Sequence, residues 1–220
     1  MEDQPGIANI QNAVLEYRAT FKEPIAELWY GGRQGEIISS LQRALSPWAV
    51  GLENVTWQQA PKNLGEVQLT FAIPSMVATL QIGVGGAVMT AINPDWSRVS
   101  QLISLFQTGA ESIVKTTGRE FQFQQATLGF HIQPSGKGFR ETLGRFVNAS
   151  VLGCEDAQMF GVSVYYSDFL FVIDKSVMFP EGVFVRLIRT FSPPTRLDEM
   201  ATILHKDEET VLSKLGLRLE

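Results

Sequence analysis

The sequence is poor in the residues that build disulfides and metal sites. It contains one cysteine and two histidines in 220 residues. Cys154 cannot form a disulfide within the chain, which is typical of a reducing compartment, and we expect a cytoplasmic protein. A zinc site needs three or four nitrogen or sulfur ligands. Because His131 and His205 lie far apart in the sequence, we expect no zinc site. A hard-cation site made of carboxylates stays open, although Glu155-Asp156 and Asp207-Glu208-Glu209 lack the ligand spacing of a calcium loop. No metal and no other cofactor is assigned.

Charged residues are also few, and neither basic nor acidic residues predominate strongly. Charged residues make up 19% of the chain, and 18 basic against 23 acidic residues give a net charge of −5. The nearest approach to a basic cluster is Arg186, Arg189 and Arg196, with acidic residues close behind. Binding to a phosphate backbone depends on clustered lysine and arginine. We therefore expect no nucleic-acid partner and no polybasic membrane anchor.

Long apolar runs and familiar catalytic motifs are missing too. No run approaches the roughly 18 apolar residues that span a bilayer, and the acidic start Met1-Glu2-Asp3 is unlike a secretory leader. The segment 83–86, Gly-Val-Gly-Gly, lacks the third glycine of a dinucleotide fingerprint and the Gly-Lys-Ser/Thr of a phosphate loop. It lies between two alternating segments and predicts a hairpin turn. No serine occupies a Gly-x-Ser-x-Gly context.

What the sequence does contain is periodic hydrophobicity that switches between strand and helix periods. In the first half, alternation predicts strands over 13–21, around 55–57, and over 67–73, 76–82 and 87–92. Apolar residues at spacings of three and four predict helices over 34–45 and 94–117. Asn93 is the expected N-cap of the second helix, and Gly118 is placed to end it.

The second half follows a similar order of elements. Alternation predicts strands over 126–132, 159–166, 169–173 and 183–191. A short amphipathic helix is predicted over 139–147. The last helical region begins at Leu197 and runs to about Leu215, and we expect a break at residues 205–207 that divides it into two short helices.

These elements predict an α+β fold with a curved, mainly antiparallel sheet and the helix 94–117 packed on one face. Residues 1–117 and 118–220 each give the order β-α-β-β-β-α. We interpret this as an internal duplication, in which the two halves form separate domains or share one sheet.

The layout resembles one family of proteins. The residues that carry the resemblance are Asn93-Pro94-Asp95-Trp96 with its long helix, the strand Ala126-Thr127-Leu128-Gly129-Phe130-His131-Ile132, and the ending formed by strand 184–191 and the helix around Leu204-His205. It is similar to a sporadically distributed, uncharacterised bacterial family of roughly 250 residues. The opening Asn9-Ile10-Gln11-Asn12 departs from the proline-rich start expected of that family. The resemblance implies the fold and no activity.

Four residues are candidates for a ligand site. His131 lies on the polar face of its strand, where it could act as a general base or ligand donor, and Arg140 is a possible cationic partner. A hydrogen-bonded structural histidine is the alternative. Trp57 lies at the edge of a strand, and Tyr165 lies close to a turn. Packing into the core is the alternative for these aromatic residues.

Three classes of function remain open from the sequence. The leading hypothesis is a non-enzymatic interaction module that acts through protein partners or homo-oligomerisation, because apolar strands leave edges and patches suited to docking. The second is a protein that binds a small apolar ligand in a cavity between the sheet and helix 94–117. The third is an enzyme that uses His131, although no catalytic residue is assigned.

Overall fold

The computed structural model describes residues 6–28, 32–58, 63, 66–134, 143–144, 161–192 and 196–218 of the chain. The α-helices that lie wholly within the described ranges are α1 (Gln34–Leu45), α2 (Val99–Thr117) and α3 (Leu197–Lys214). The strands are β1 (Gly6–Phe21), β2 (Val55–Gln58), β3 (Gln68–Ile73), β4 (Ala78–Gly83), β5 (Gly86–Ile92), β6 (Phe121–Pro134), β7 (Gly161–Tyr165), β8 (Phe169–Lys175), β9 (Val183–Phe191) and β10 (Leu217–Arg218). The fold is α+β with an antiparallel sheet, as predicted.

The chain divides into two compact units that are interleaved along the sequence. The larger unit comprises Val14–Ala126 and Thr190–Ala201, and the smaller unit comprises Met1–Ala13, Thr127–Arg189 and Thr202–Glu220. The halves 1–117 and 118–220 are predicted from the order of secondary-structure elements that is repeated along the sequence. The division into units does not test that repeat, so the duplication stays a prediction.

The larger unit holds strands in the order β2-β3-β4-β5-β1-β6. The pairs β2–β3, β3–β4, β4–β5 and β5–β1 are antiparallel. Alternating side chains fill the core as the period of two requires, and its strand members include Tyr17, Ala19, Phe21, Leu69, Phe71, Ile73, Leu80 and Ile82. α1 packs against α2, and its inward residues Ile37, Leu41 and Leu45 are buried, as its apolar period predicts.

The smaller unit holds strands in the order β6-β9-β8-β7, and β10 pairs in parallel with the start of β1. Arg189 on β9 links the C-terminal helix to the turn before β8. Its guanidinium donates two hydrogen bonds to Asp207, at 2.6 and 2.8 Å, and one to Asp168, at 2.8 Å. It also lies 4.8 Å from the centroid of the Phe169 ring. Because Arg189 forms two hydrogen bonds with Asp207 and both side chains are largely buried, this ion pair fixes the C-terminal helix against β9.

α2 begins later than the sequence predicts. The expected start at residue 94 is wrong, because residues 96–98 form a turn of 3-10 helix and Arg98 is the N-cap of α2. Asp95 holds that turn by accepting hydrogen bonds from the backbone and the hydroxyl of Ser97, at 3.0 and 2.6 Å. Asn93, the expected N-cap, takes a left-handed conformation with φ of 47° and lies five residues before the observed N-cap, Arg98. The predicted end is correct: Gly118 is left-handed and its N–H donates to Val114.

The C-terminal region is one helix and not two. The expected break at residues 205–207 is wrong, because α3 continues from Leu197 to Lys214. Among the polar residues that suggested a break, His205 and Lys206 are exposed on the outer face of the helix. Asp207 forms an ion pair with Arg189. Leu204, Val211 and Leu212 remain buried along the inner face.

Candidate ligand-binding groove

The larger unit contains a groove of about 800 Å³ between one flank of α2 and the strands β1 and β6. Residues at the start of α3 also line it. The apolar lining consists of Ala110, Val114, Phe121 and Leu197, the charged lining of Lys22, Glu111, Lys115, Glu120 and Arg196, and the remaining polar lining of Tyr17, Gln107, Gln122 and Gln124.

The apolar wall follows from the helical period of α2 and the alternation of β6. Ala110 and Val114 lie one turn apart on the same flank of α2. Ala110 has a small side chain, and both residues line the groove. Phe121 on β6 stacks on Phe21 of β1 with ring centroids 5.4 Å apart. The wall is therefore held by packed side chains and is preformed.

Several of the charged groups around the groove have partners of their own. Lys22 forms an ion pair with Glu120, and its backbone N–H donates to the carbonyl of Glu120 at 2.9 Å. Arg196 pairs with Asp198 at 3.0 Å. Such exposed pairs contribute little to stability. Because each pair joins one positive and one negative side chain, the part of the groove rim that they form has little net charge.

Two buried polar side chains lie among the lining residues. Gln124 on β6 donates a hydrogen bond from Nε2 to the Tyr17 hydroxyl on β1, at 2.8 Å. Tyr17 is 2% exposed and Gln124 is 6% exposed. Burial raises the pKa of Tyr17 above its ordinary value of 10.0, so the phenol is neutral at physiological pH. Within the described part of the chain, Gln124 Oε1 is buried without a hydrogen-bond partner.

His131 lies in the smaller unit and is not among the lining residues of the groove. Its Nδ1 lies 2.9 Å from the Ser176 hydroxyl, and its ring is 4.7 Å from that of Phe184. Ser176 Oγ accepts hydrogen bonds from the backbone N–H groups of Met178 and Phe179, both at 3.1 Å. Because both lone pairs of this oxygen are used, the hydroxyl donates its proton to Nδ1. His131 is therefore neutral, with its proton on Nε2.

This arrangement predicts a pH dependence of stability. Burial lowers the pKa of His131 below its ordinary value of 6.5, so the unfolded state binds a proton more readily than the folded state. The contribution of His131 is complete above pH 6.5 and is lost as the pH falls toward its lower folded pKa. We expect the difference in unfolding free energy between wild type and His131→Asn to shrink between pH 7.5 and 5.5 in urea titrations.

Asparagine is the matched replacement, because its amide oxygen can take the place of Nδ1 as the acceptor from Ser176. Taking the difference between the two proteins cancels the contribution of His205 and the carboxylates. Parallel stability curves over this pH range would show that the fold does not hold His131 in its neutral form.

The other predicted site residues lie in different places. Trp57 is on β2 and is 42% exposed, and Tyr165 ends β7 and is 75% exposed. Neither lines the groove. Arg140 lies outside the described residues. The roles predicted for all four residues stay predictions.

Sequence reasoning missed Tyr17 and Gln124 as a pair. The signal was present, because Tyr17 shares the inward face of β1 with Ala19 and Phe21, and Gln124 shares the inward face of β6 with Ala126. A glutamine at an inward position of a strand is a buried polar group that needs a partner.

Comparison with known proteins adds no assignment: neither a scan against protein-family models nor a search of curated proteins finds a match for this chain. The resemblance to an uncharacterised bacterial family stays a prediction. Among the described residues, no cluster of three or more histidine, cysteine, aspartate or glutamate side chains could hold a metal ion. No helix in the described ranges combines the length and apolarity needed to cross a membrane.

Proposed function

We propose that the protein binds a small organic molecule in the groove of the larger unit. The observation that carries this proposal is a groove of about 800 Å³ with an apolar wall and buried polar groups among its lining residues. Small-molecule sites in proteins occupy roughly 300–1,000 Å³ and combine apolar walls with a few placed polar groups. This is the second of the functions that the sequence left open.

The chemistry of the lining favours binding over catalysis. Tyr17 is neutral, and the charged groups Lys22 and Glu120 are engaged with one another. General acid–base catalysis needs a group that changes protonation near the working pH. His131, the residue that a catalytic hypothesis would use, is hydrogen-bonded to Ser176 and is not among the lining residues of the groove.

A groove-filling variant tests the proposal with the neutral fluorophore N-phenyl-1-naphthylamine as the apolar probe. Val114 is half-buried and lines the groove, whereas Ile103 is half-buried on the same helix and does not. We expect Val114→Phe to weaken binding of the probe at least tenfold by occupying the groove, and Ile103→Phe to change it less than twofold. Fluorescence titration of the full chain measures both.

Thermal unfolding of both variants shows whether the phenylalanine is accommodated. Equal binding by wild type and Val114→Phe would overturn the proposal, because the probe would then occupy another surface. Absence of binding to the wild type would overturn it as well.

The leading alternative is the interaction module predicted from the sequence. The observation that favours it is the set of exposed apolar side chains in the smaller unit, with Val177 94% exposed, Tyr165 75% and Tyr166 55%. Native mass spectrometry of the full chain separates the two functions. Retained small molecules on a monomer support the groove, and a stable oligomer that retains none supports the module.

A further inference from the structure

We propose that the ligand carries a neutral, primary-amide-type edge, with a hydrogen-bond donor beside an acceptor, and that Tyr17 and Gln124 select it. This inference rests on the proposed function of the groove, whose chemical specificity it names. The juxtaposition that carries it is a hydrogen-bonded pair of buried polar side chains with unused bonding capacity, among the lining residues of an otherwise apolar wall.

In either orientation of the Gln124 amide, the unused capacity of the pair includes at least one donor and at least one acceptor. When Gln124 Nε2 donates to Tyr17, the phenol proton remains free to donate and Gln124 Oε1 remains free to accept. When the terminal amide is turned over, the phenol donates to Oε1, and Nε2 becomes the free donor while the phenol oxygen accepts. Both arrangements complement a ligand edge that itself presents one acceptor and one donor.

The cost of leaving this capacity unused favours a ligand of that kind. A buried polar group without a partner is destabilising, because it has lost its hydrogen bonds to water and has gained none in return. Torsional preferences about the last side-chain bond of Gln124 are broad, so its amide can adopt either orientation. Ligands that satisfy both groups gain this free energy, and ligands that lack the donor or the acceptor do not.

The same surroundings disfavour a charged edge. Both members of the pair are neutral, and burial raises the pKa of Tyr17 further from physiological pH. Burying a carboxylate or an ammonium group against a neutral pair costs much more than burying an amide. The neighbouring Val114 and Phe121 instead fit an apolar, preferably flat, ligand body.

Three naphthalenes of nearly equal shape test this inference. 2-Naphthamide offers a donor and an acceptor, 2-acetylnaphthalene replaces the NH₂ group by CH₃ and keeps the acceptor, and 2-isopropylnaphthalene offers neither. We expect the wild-type chain to bind the amide about tenfold more tightly than the ketone, as one additional hydrogen bond implies. Dissociation constants are measured from chemical-shift titrations of the ¹⁵N-labelled full chain.

The double variant Tyr17→Phe/Gln124→Met removes the polar atoms and keeps the shape of the pair. We expect it to bind all three compounds within about threefold of one another. Tyr17→Phe alone provides a second measurement and is expected to reduce the preference for the amide severalfold.

The two proposals fail in different ways. If 2-isopropylnaphthalene binds and Val114→Phe prevents it, while wild type and double variant show no preference for the amide, the groove binds ligands and this inference is wrong. If none of the three compounds binds in a manner sensitive to Val114→Phe, the proposed function itself is wrong.

Discussion

Replacing Gly86 with alanine is expected to lower the free energy of unfolding by about 3 kcal/mol, at the upper end of what overpacking costs. Gly86 begins β5 and pairs with Thr20 on β1. A Cβ atom built at this position would collide with the backbone carbonyl oxygen of Ala19. Because a carbonyl within a strand cannot turn aside as a side chain can, β1 and β5 would have to separate locally.

Gly85 is the matched control, since it lies in the turn directly before Gly86 and a Cβ atom there meets nothing within 4 Å. Gly85→Ala is expected to change stability by less than about 0.5 kcal/mol. Urea unfolding followed by circular dichroism measures both variants. If the two substitutions had equal effects, β1 would not approach Gly86 as closely as described.

The second large effect is expected at the buried pair in the groove. Tyr17→Phe leaves Gln124 with no described partner for either atom of its amide, and Gln124→Met leaves the Tyr17 hydroxyl buried alone. We expect each single substitution to lower the free energy of unfolding by about 2 kcal/mol, within the range for an unsatisfied buried group. The double variant removes every polar atom of the pair and is expected to unfold within about 1 kcal/mol of the wild type.

A double-mutant cycle measures this coupling directly. The distinctive outcome is that the second substitution restores stability instead of reducing it further. Additive losses in the double variant would contradict the description of Tyr17 and Gln124 as a mutually dependent pair. Such losses would also indicate that Tyr17 and Gln124 each have another hydrogen-bond partner.

Local periodicity predicted many of the elements, because each depends on residues close together in the sequence. The predicted bounds of α1 and of the strand 183–191 agree with the structure. The inward face predicted for β6 is also correct, since Ala126, Leu128, Phe130 and Ile132 are all buried. Alternation and helical spacing report which side chains face a core, and that information is local.

The errors arose at two places where hydrophobic periodicity does not determine the course of the backbone. The polar residues 205–207 predicted a break in the last helix, but Asp207 is held by Arg189 on β9, and α3 continues through it. At the start of α2, the side chain of Asp95 caps a tighter turn in place of the predicted helix. Hydrophobic periodicity does not encode the ion pair between distant residues in the first case. It also does not encode the choice between two similar helical turns in the second.

The sequence alone predicts the inward direction of Tyr17, which belongs to the alternating segment 13–21, whereas Gln124 lies before the predicted strand 126–132 and gains its inward direction only from the longer strand of the structure. Their meeting does not follow, because the two residues are separated by 107 positions and only the pairing of β1 with β6 brings them into contact. The space beside them likewise depends on how far α2 lies from these strands. Hydrophobic pattern determined the elements and their faces, whereas the groove and its unused hydrogen-bonding capacity were decided by tertiary contacts between distant segments.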